Sequence, residues 1–277
     1  MTSAAGTAYG LVMGTLPAPR DISGPEATAA IHEQGAHLVT WTPTGEQPVL
    51  WVSRDTLLEE GTAIRGGVPI CFPWFGPGRS GDRKPSHGPA RTTRWEPVVI
   101  EEGRAELTLT LGALRATYAV RAGRRLELAL RVTNVGSQEE TYEEALHTYL
   151  AVGDVRQVSL EGLDRASYVD KTDKGATRRQ EGPVTLRGET DRVYRSACPV
   201  TVVDPVLGRR LRITTSGSAS TVVWNPWADK AAGLADMGDD ECAGMVCVEG
   251  GNVLADEITL APGDSHTLRY EIEVLPL

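Results

Sequence analysis

Phenylalanine occurs only twice in 277 residues, and lysine only four times, at Lys84, Lys171, Lys174 and Lys230. Positive charge rests almost entirely on arginine and is outweighed, leaving a net charge of −9. Such a chain lacks the cationic field that a broad grip on nucleic acid or an anionic membrane requires. Cysteine is sparse as well. Cys71, Cys198, Cys242 and Cys247 show no paired zinc-ligand spacing: Cys242 and Cys247 stand too far apart, and no second pair accompanies them. They are read as buried, reduced thiols, with no metal. No apolar run approaches the roughly 20 residues of a membrane span, and Met1–Pro19 has no basic stretch followed by a continuous apolar core. The expectation is a soluble, cytoplasmic protein. Helical periodicity is scarce too, with one short helix expected around 227–237.

What is abundant is alternation. Leu107, Leu109 and Leu111 alternate with polar residues, as do Leu126, Leu128, Leu130 and Val132, and again Leu268, Tyr270, Ile272 and Val274 near the C-terminus. Residues 117–121 and 126–133 flank Ala122-Gly123-Arg124-Arg125, a hairpin signal. Further short strands are expected at 200–203, 210–214 and 221–224. Turn signals recur too often for a doubly wound fold, so the expected class is all-β: a large antiparallel β-sandwich with few short helices. No repeat or low-complexity linker divides the chain, and residues 1–277 are read as one domain. The longest irregular piece is the polar stretch Asp170–Glu189, and long ordered loops tend to border functional sites.

Four segments carry candidate chemistry. Met245-Val-Cys-Val-Glu249-Gly-Gly sets a carboxylate at the end of an apolar run. A carboxylate against an apolar wall has its pKa raised toward the range of a general base or acid; the plainer alternative is a satisfied strand-end glutamate. His147, inside Ala145-Leu-His-Thr-Tyr149, is either a core histidine or the proton-transfer partner of Glu249. Arg65-Gly-Gly-Val-Pro-Ile-Cys-Phe-Pro-Trp-Phe-Gly76 holds both phenylalanines of the chain on a proline-stiffened loop, suited to packing on a sugar ring or to closing one end of the fold. Ser86-His87-Gly88-Pro89-Ala90-Arg91 adds a hydroxyl, an imidazole and a second arginine. Arg65 and Arg91 could together clamp a phosphate, or each could serve structure alone. Near the C-terminus the acidic cluster Asp236–Glu241 lacks the calcium-loop pattern and is read as structural, solvated charge. No Gly-x-Ser-x-Gly supports a serine nucleophile.

Together these strings, with Asp191-Arg-Val-Tyr194 and Val223-Trp-Asn-Pro-Trp227, resemble the glucose-6-phosphate 1-epimerases of the aldose 1-epimerase superfamily, in order and from about residue 60 to 255. The resemblance implies a galactose-mutarotase-like β-sandwich with a cleft across one sheet, and an isomerase that interconverts the anomers of a hexose 6-phosphate, glucose 6-phosphate foremost. It makes His147 and Glu249 the catalytic pair, with Glu249 as base and His147 as acid on opposite sides of a pyranose-sized space. It makes Arg65, Ser86, His87, Arg91 and Asp191 substrate contacts, Asp191 through a sugar hydroxyl or a neighbouring arginine. One departure is Ser86, where relatives often carry Gln. No cofactor is required, the partner is a small sugar phosphate, and a monomer is expected. The alternatives are a mutarotase for non-phosphorylated aldoses, in which the arginines serve structure, and a non-catalytic sugar-binding module.

Overall fold

The computed structural model describes residues 14–277. The reading of Met1–Pro19 as free of a targeting signal therefore falls largely outside the described residues. Within them, alternation becomes pleated sheet almost without exception. Leu114–Ala122 and Arg125–Asn134 alternate buried and open positions along their whole length and pair from Leu114↔Asn134 to Ala122↔Leu126. The hairpin extends beyond 117–121 and 126–133 because the alternation of buried and open positions continues through Leu114 and Ala116 to the buried Asn134.

Eight strands form one antiparallel sheet in the order Ser159–Glu161, Val200–Asp204, Arg209–Ser216, Ser265–Pro276, Arg125–Asn134, Leu114–Ala122, Arg104–Leu111, Glu96–Glu101. A second sheet runs Ala176–Arg179, Ser167–Asp170, Thr190–Tyr194, Ser220–Asn225, Met245–Asn252, Glu144–Leu146, Ile70–Cys71, with Tyr149–Ala151 also paired to Met245–Asn252. The main core joins them. Leu107, Tyr118, Leu130, Leu211 and Ile272 of the first meet Leu146, Val223, Val246 and Val248 of the second, and the Tyr270 hydroxyl donates to the Val248 carbonyl. A smaller three-stranded sheet, Arg20–Asp21, Ala27–His32 and His37–Pro43, adds Ile31, Leu38 and Trp41 to the same core.

Three details depart from expectation. The helix around 227–237 is α-helical only over Trp227–Ala231; Gly233 follows, a poor helix former, and the chain goes on in turns. The stretch Asp170–Glu189 is less irregular than its polarity suggests. A 3₁₀ turn at Lys171–Asp173 leads through left-handed Lys174 and Gly175 into Ala176–Arg179, which pairs back on Ser167–Asp170. Cys198 is exposed, while Cys71, Cys242 and Cys247 are buried, and all four are free thiols. Among the described residues no helix is long and apolar enough to cross a membrane.

Candidate active site

The strand Met245–Asn252 is buried on both faces, but by different neighbours. Val246 and Val248 enter the core between the sheets. Met245, Cys247 and Glu249 point the other way, because side chains alternate along a strand. Cross-strand pairing then fixes their company: Cys247 lies between Trp224 and Tyr149, and Glu249 beside Val222 and, one strand further, Val193. Glu249 is therefore a carboxylate set in an apolar patch of Cys71, Ala145, Val193 and Val222.

His147 joins this face through a break in its own strand. Glu144–Leu146 and Tyr149–Ala151 both pair with Met245–Asn252, but between them the Thr148 N–H donates back to the Leu146 carbonyl at 2.8 Å, closing a three-residue turn. The His147 N–H donates to the Pro69 carbonyl at 2.9 Å instead. The imidazole stacks on Tyr149 (centroids 4.8 Å apart), and Trp51 stacks on the same tyrosine. Its Nε2 lies 3.5 Å from Oε1 of Glu249. The two groups are side by side, not across a sugar-sized space. Glu249 Oε2 and His147 Nδ1 are both buried without a hydrogen-bond partner.

Burial governs the charge state of both. It raises the Glu249 carboxyl well above the usual range, helped by the nearby Asp191 charge and opposed by Lys171 and Arg91. It holds the His147 imidazole well below its usual value, assisted by His87, Arg91 and Arg65. Desolvation disfavours the charged form of each, so burial favours a protonated carboxyl beside a neutral imidazole over the ion pair. A donor and an acceptor thus stand within reach of the same small group.

Of the remaining expected residues, Arg65, His87, Arg91 and Asp191 gather here, with unexpected partners, and the Ser86 side chain does not. Arg65 follows the packed Ile64 and precedes Gly66, whose φ of 119° and approach to Trp51 and Val52 leave no room for a Cβ. Its guanidinium donates to both carboxylate oxygens of Asp236 at 3.1 Å and to the Tyr149 hydroxyl at 3.1 Å. The fork expected to grip phosphate is thus already filled by a carboxylate. Asp236 is accordingly not solvated surface charge; nor is Glu241, which accepts from Ser53, Arg54 N–H and Gly238 N–H. Arg91 donates to the Ser86 carbonyl at 3.0 Å and has no carboxylate partner among the described residues. Ser86 is exposed and meets Arg91 only through its backbone. Asp191 pairs at 3.2 Å with Lys171, not with an arginine.

His87 lies edge-on to Phe75 (4.9 Å) and to His147 (5.7 Å), and Lys171 Nζ stands 5.0 Å over the Phe75 ring. Burial and the charges of Arg91, Lys171 and Arg65 push His87 far below its usual value, so it is neutral. Of the loop aromatics, Phe72 is core and Trp74 sits under Arg83, leaving Phe75 alone at the site. Glu143 holds this loop, accepting the Phe75 N–H at 3.1 Å and the Leu254 N–H at 2.6 Å. Sequence reasoning missed Lys171 and Asp236. Lys171 carried one available signal, being one of four lysines; Asp236 was masked by the acidic residues around it.

Comparison with known proteins agrees with this architecture. The family model described as aldose 1-epimerase matches residues 21–273. A protein of Escherichia coli strain K12 named "Putative glucose-6-phosphate 1-epimerase" is 35% identical over 244 residues, covering 82% of this chain and 81% of that protein. The crystal structure of a "putative mutarotase" from Salmonella typhimurium superimposes with a TM-score of 0.85 at 30% identity, covering 93% of this chain and 90% of the other. A "galactose mutarotase-like protein" from Lactobacillus casei shares the fold, with a TM-score of 0.75 at 16% identity. The fold is a galactose-mutarotase-like β-sandwich, and with a family match running from the first strand of the small sheet to the last strand of the large one, the chain belongs to the aldose 1-epimerase family.

Proposed function

We propose that this protein interconverts the α and β anomers of a hexose 6-phosphate, with glucose 6-phosphate as the first candidate, and that His147 and Glu249 move the protons. The observation that carries this reading is the buried His147–Glu249 pair at 3.5 Å, each with an unpartnered polar atom. Mutarotation needs a base at the anomeric hydroxyl and an acid at the ring oxygen. Both oxygens are bonded to C1, so the two groups that serve them must be neighbours, which accounts for a side-by-side pair.

Ring opening then moves two protons and leaves the pair holding one, as before. The Glu249 carboxylate takes the proton from O1, C1=O1 forms as the C1–O5 bond breaks, and imidazolium delivers its proton to O5. Rotation about C1–C2 and the reverse transfers close the other anomer. The uncharged pair favoured by burial is the state that faces the open-chain aldehyde. Ring-form substrate requires the proton to pass from Glu249 to His147. A phosphate beside Arg91 would assist, by offsetting one of the positive charges that oppose imidazolium. Each positioned transfer is worth roughly 10²–10⁴-fold, ample for a reaction that already runs in water.

Arg91, Lys171 and Arg65, all close enough to act on His87, favour an anionic substrate, as do the names of the relatives. One observation favours a second reading, a neutral aldose: Asp236 and Asp191 already neutralise Arg65 and Lys171. Anomer-exchange NMR separates these outcomes. Wild type should exchange glucose 6-phosphate anomers well above the buffer rate, and His147→Ala and Glu249→Gln should lose about 10²–10⁴-fold. Exchange at the buffer rate would reject catalysis, a fully active Glu249→Gln would reject its role as base, and a higher kcat/KM for glucose would reject the phosphate.

A further inference from the structure

We infer that Asp236 is a specificity-determining residue: its fixed carboxylate makes Arg65 a donor to sugar hydroxyls and leaves Arg91 to receive the phosphate. A guanidinium has five N–H donors. In Arg65, Nε and Nη2 each give one to Asp236 at 3.1 Å, and Nη1 gives one to the Tyr149 hydroxyl at 3.1 Å. Two hydrogens remain, one on each terminal nitrogen, with no acceptor among the described residues. The Tyr149 hydroxyl accepts from Arg65, and its own hydrogen likewise meets no acceptor among the described residues. Its ring stacks on His147, so these donors belong to the wall that carries the proton-transfer pair. Neutral hydroxyls can take all three hydrogens at no electrostatic cost. A phosphate placed there would meet the Asp236 carboxylate as well, and like charges brought together repel. Each side chain of the pair is 20% exposed, which leaves little water to screen that repulsion.

To act in this way Asp236 must stay in place when a substrate arrives, and its neighbours hold it. Met237, next in the chain, is buried in a cluster with Tyr149, Trp224 and Cys247. The Gly238 N–H donates to Glu241 at 2.8 Å, and Glu241 accepts the Ser53 hydroxyl at 2.6 Å. Ser53 in turn donates its N–H to the Arg65 carbonyl at 3.0 Å. Arg65 and Asp236 are thus tied to the same frame. Arg91 donates to a backbone carbonyl and has no balancing carboxylate among the described residues. A neutralised fork and an unbalanced guanidinium sort the two ends of a hexose 6-phosphate, partly by attraction and partly by repulsion.

This rests on the proposed hexose 6-phosphate reading, but calorimetric titration with inorganic phosphate tests it without turnover. Asp236→Asn should bind phosphate about tenfold more tightly than wild type, because the released guanidinium becomes a second anion site. The same variant should lower KM for glucose 6-phosphate and raise it for glucose, a split that general loosening of the fold would not produce. Adding Arg65→Gln to Asp236→Asn should return phosphate affinity to within about twofold of wild type, whereas Arg91→Gln should lose at least about tenfold. Unchanged or weaker phosphate binding by Asp236→Asn would overturn the inference. If that variant does not fold, the double variant decides: retained phosphate binding supports the inference and lost binding overturns it. Binding by Asp236→Asn but not by wild type would refute the phosphate substrate and leave the role of Asp236 standing. Binding by neither would overturn both.

Discussion

Glu249 holds its proton more tightly in the folded protein than in the unfolded chain, and this has a sign for stability. Above the ordinary carboxyl value of 4.5 the unfolded chain has lost the proton while the folded site retains it, so stability falls as pH rises toward the folded value. His147 acts oppositely. Its folded value is depressed, so its contribution is lost as pH falls below 6.5. Glu249→Gln removes the first dependence. Its Tm should exceed that of wild type by about 2–6 °C at pH 8, with the gap narrowing toward pH 5; calorimetry at the two pH values checks this, and a pH-independent gap would contradict it. A variant that is more stable and less active is the signature of a group kept for chemistry.

At the scale of elements, the candidate site is held by short segments tied through side chains to neighbouring backbone. Glu143 is one such tie. Its carboxylate joins the Phe72–Gly76 loop to the turn at Leu254, just beyond the strand that bears Glu249. Glu143→Gln keeps one acceptor and leaves a buried N–H unsatisfied, which should cost about 1–3 kcal/mol and lower kcat/KM for sugar as Phe75 and Lys171 shift. Urea unfolding with parallel kinetics tests both halves; loss of stability with intact kinetics would confine Glu143 to structure. Ties of this kind explain what was legible in the sequence. The long strands announced themselves by period-two patterning, and Glu249 and His147 by standing as polar residues within apolar runs. Arg65 gave no hint that Asp236, 171 positions away, would occupy its guanidinium. Lys171 lay in a stretch whose polarity concealed a hairpin. Pairings made by tertiary closure leave no local pattern to read.

At the scale of the whole molecule, stability is unevenly distributed. The hairpin Leu114–Asn134 and the strand Ser265–Pro276 make long ladders over the main core, whereas Trp227–Gly244, which supplies Asp236, is one short helix, turns and a 3₁₀ segment. Native-state hydrogen exchange should find the slowest amides in Leu126–Val132 and Leu268–Ile272, and the fastest in Ala232–Asp240; equal protection in both would contradict this distribution. The strand Met245–Asn252 bridges the two regimes. Its even-numbered residues build the interior and its odd-numbered ones face the candidate site. A slip of one residue would send Glu249 into the dry interior and a valine into its place beside His147. Gradual drift of that strand is therefore closed to the molecule. A copy in which that strand pairs out of register therefore lacks the His147–Glu249 pair altogether, rather than holding it in a weakened form.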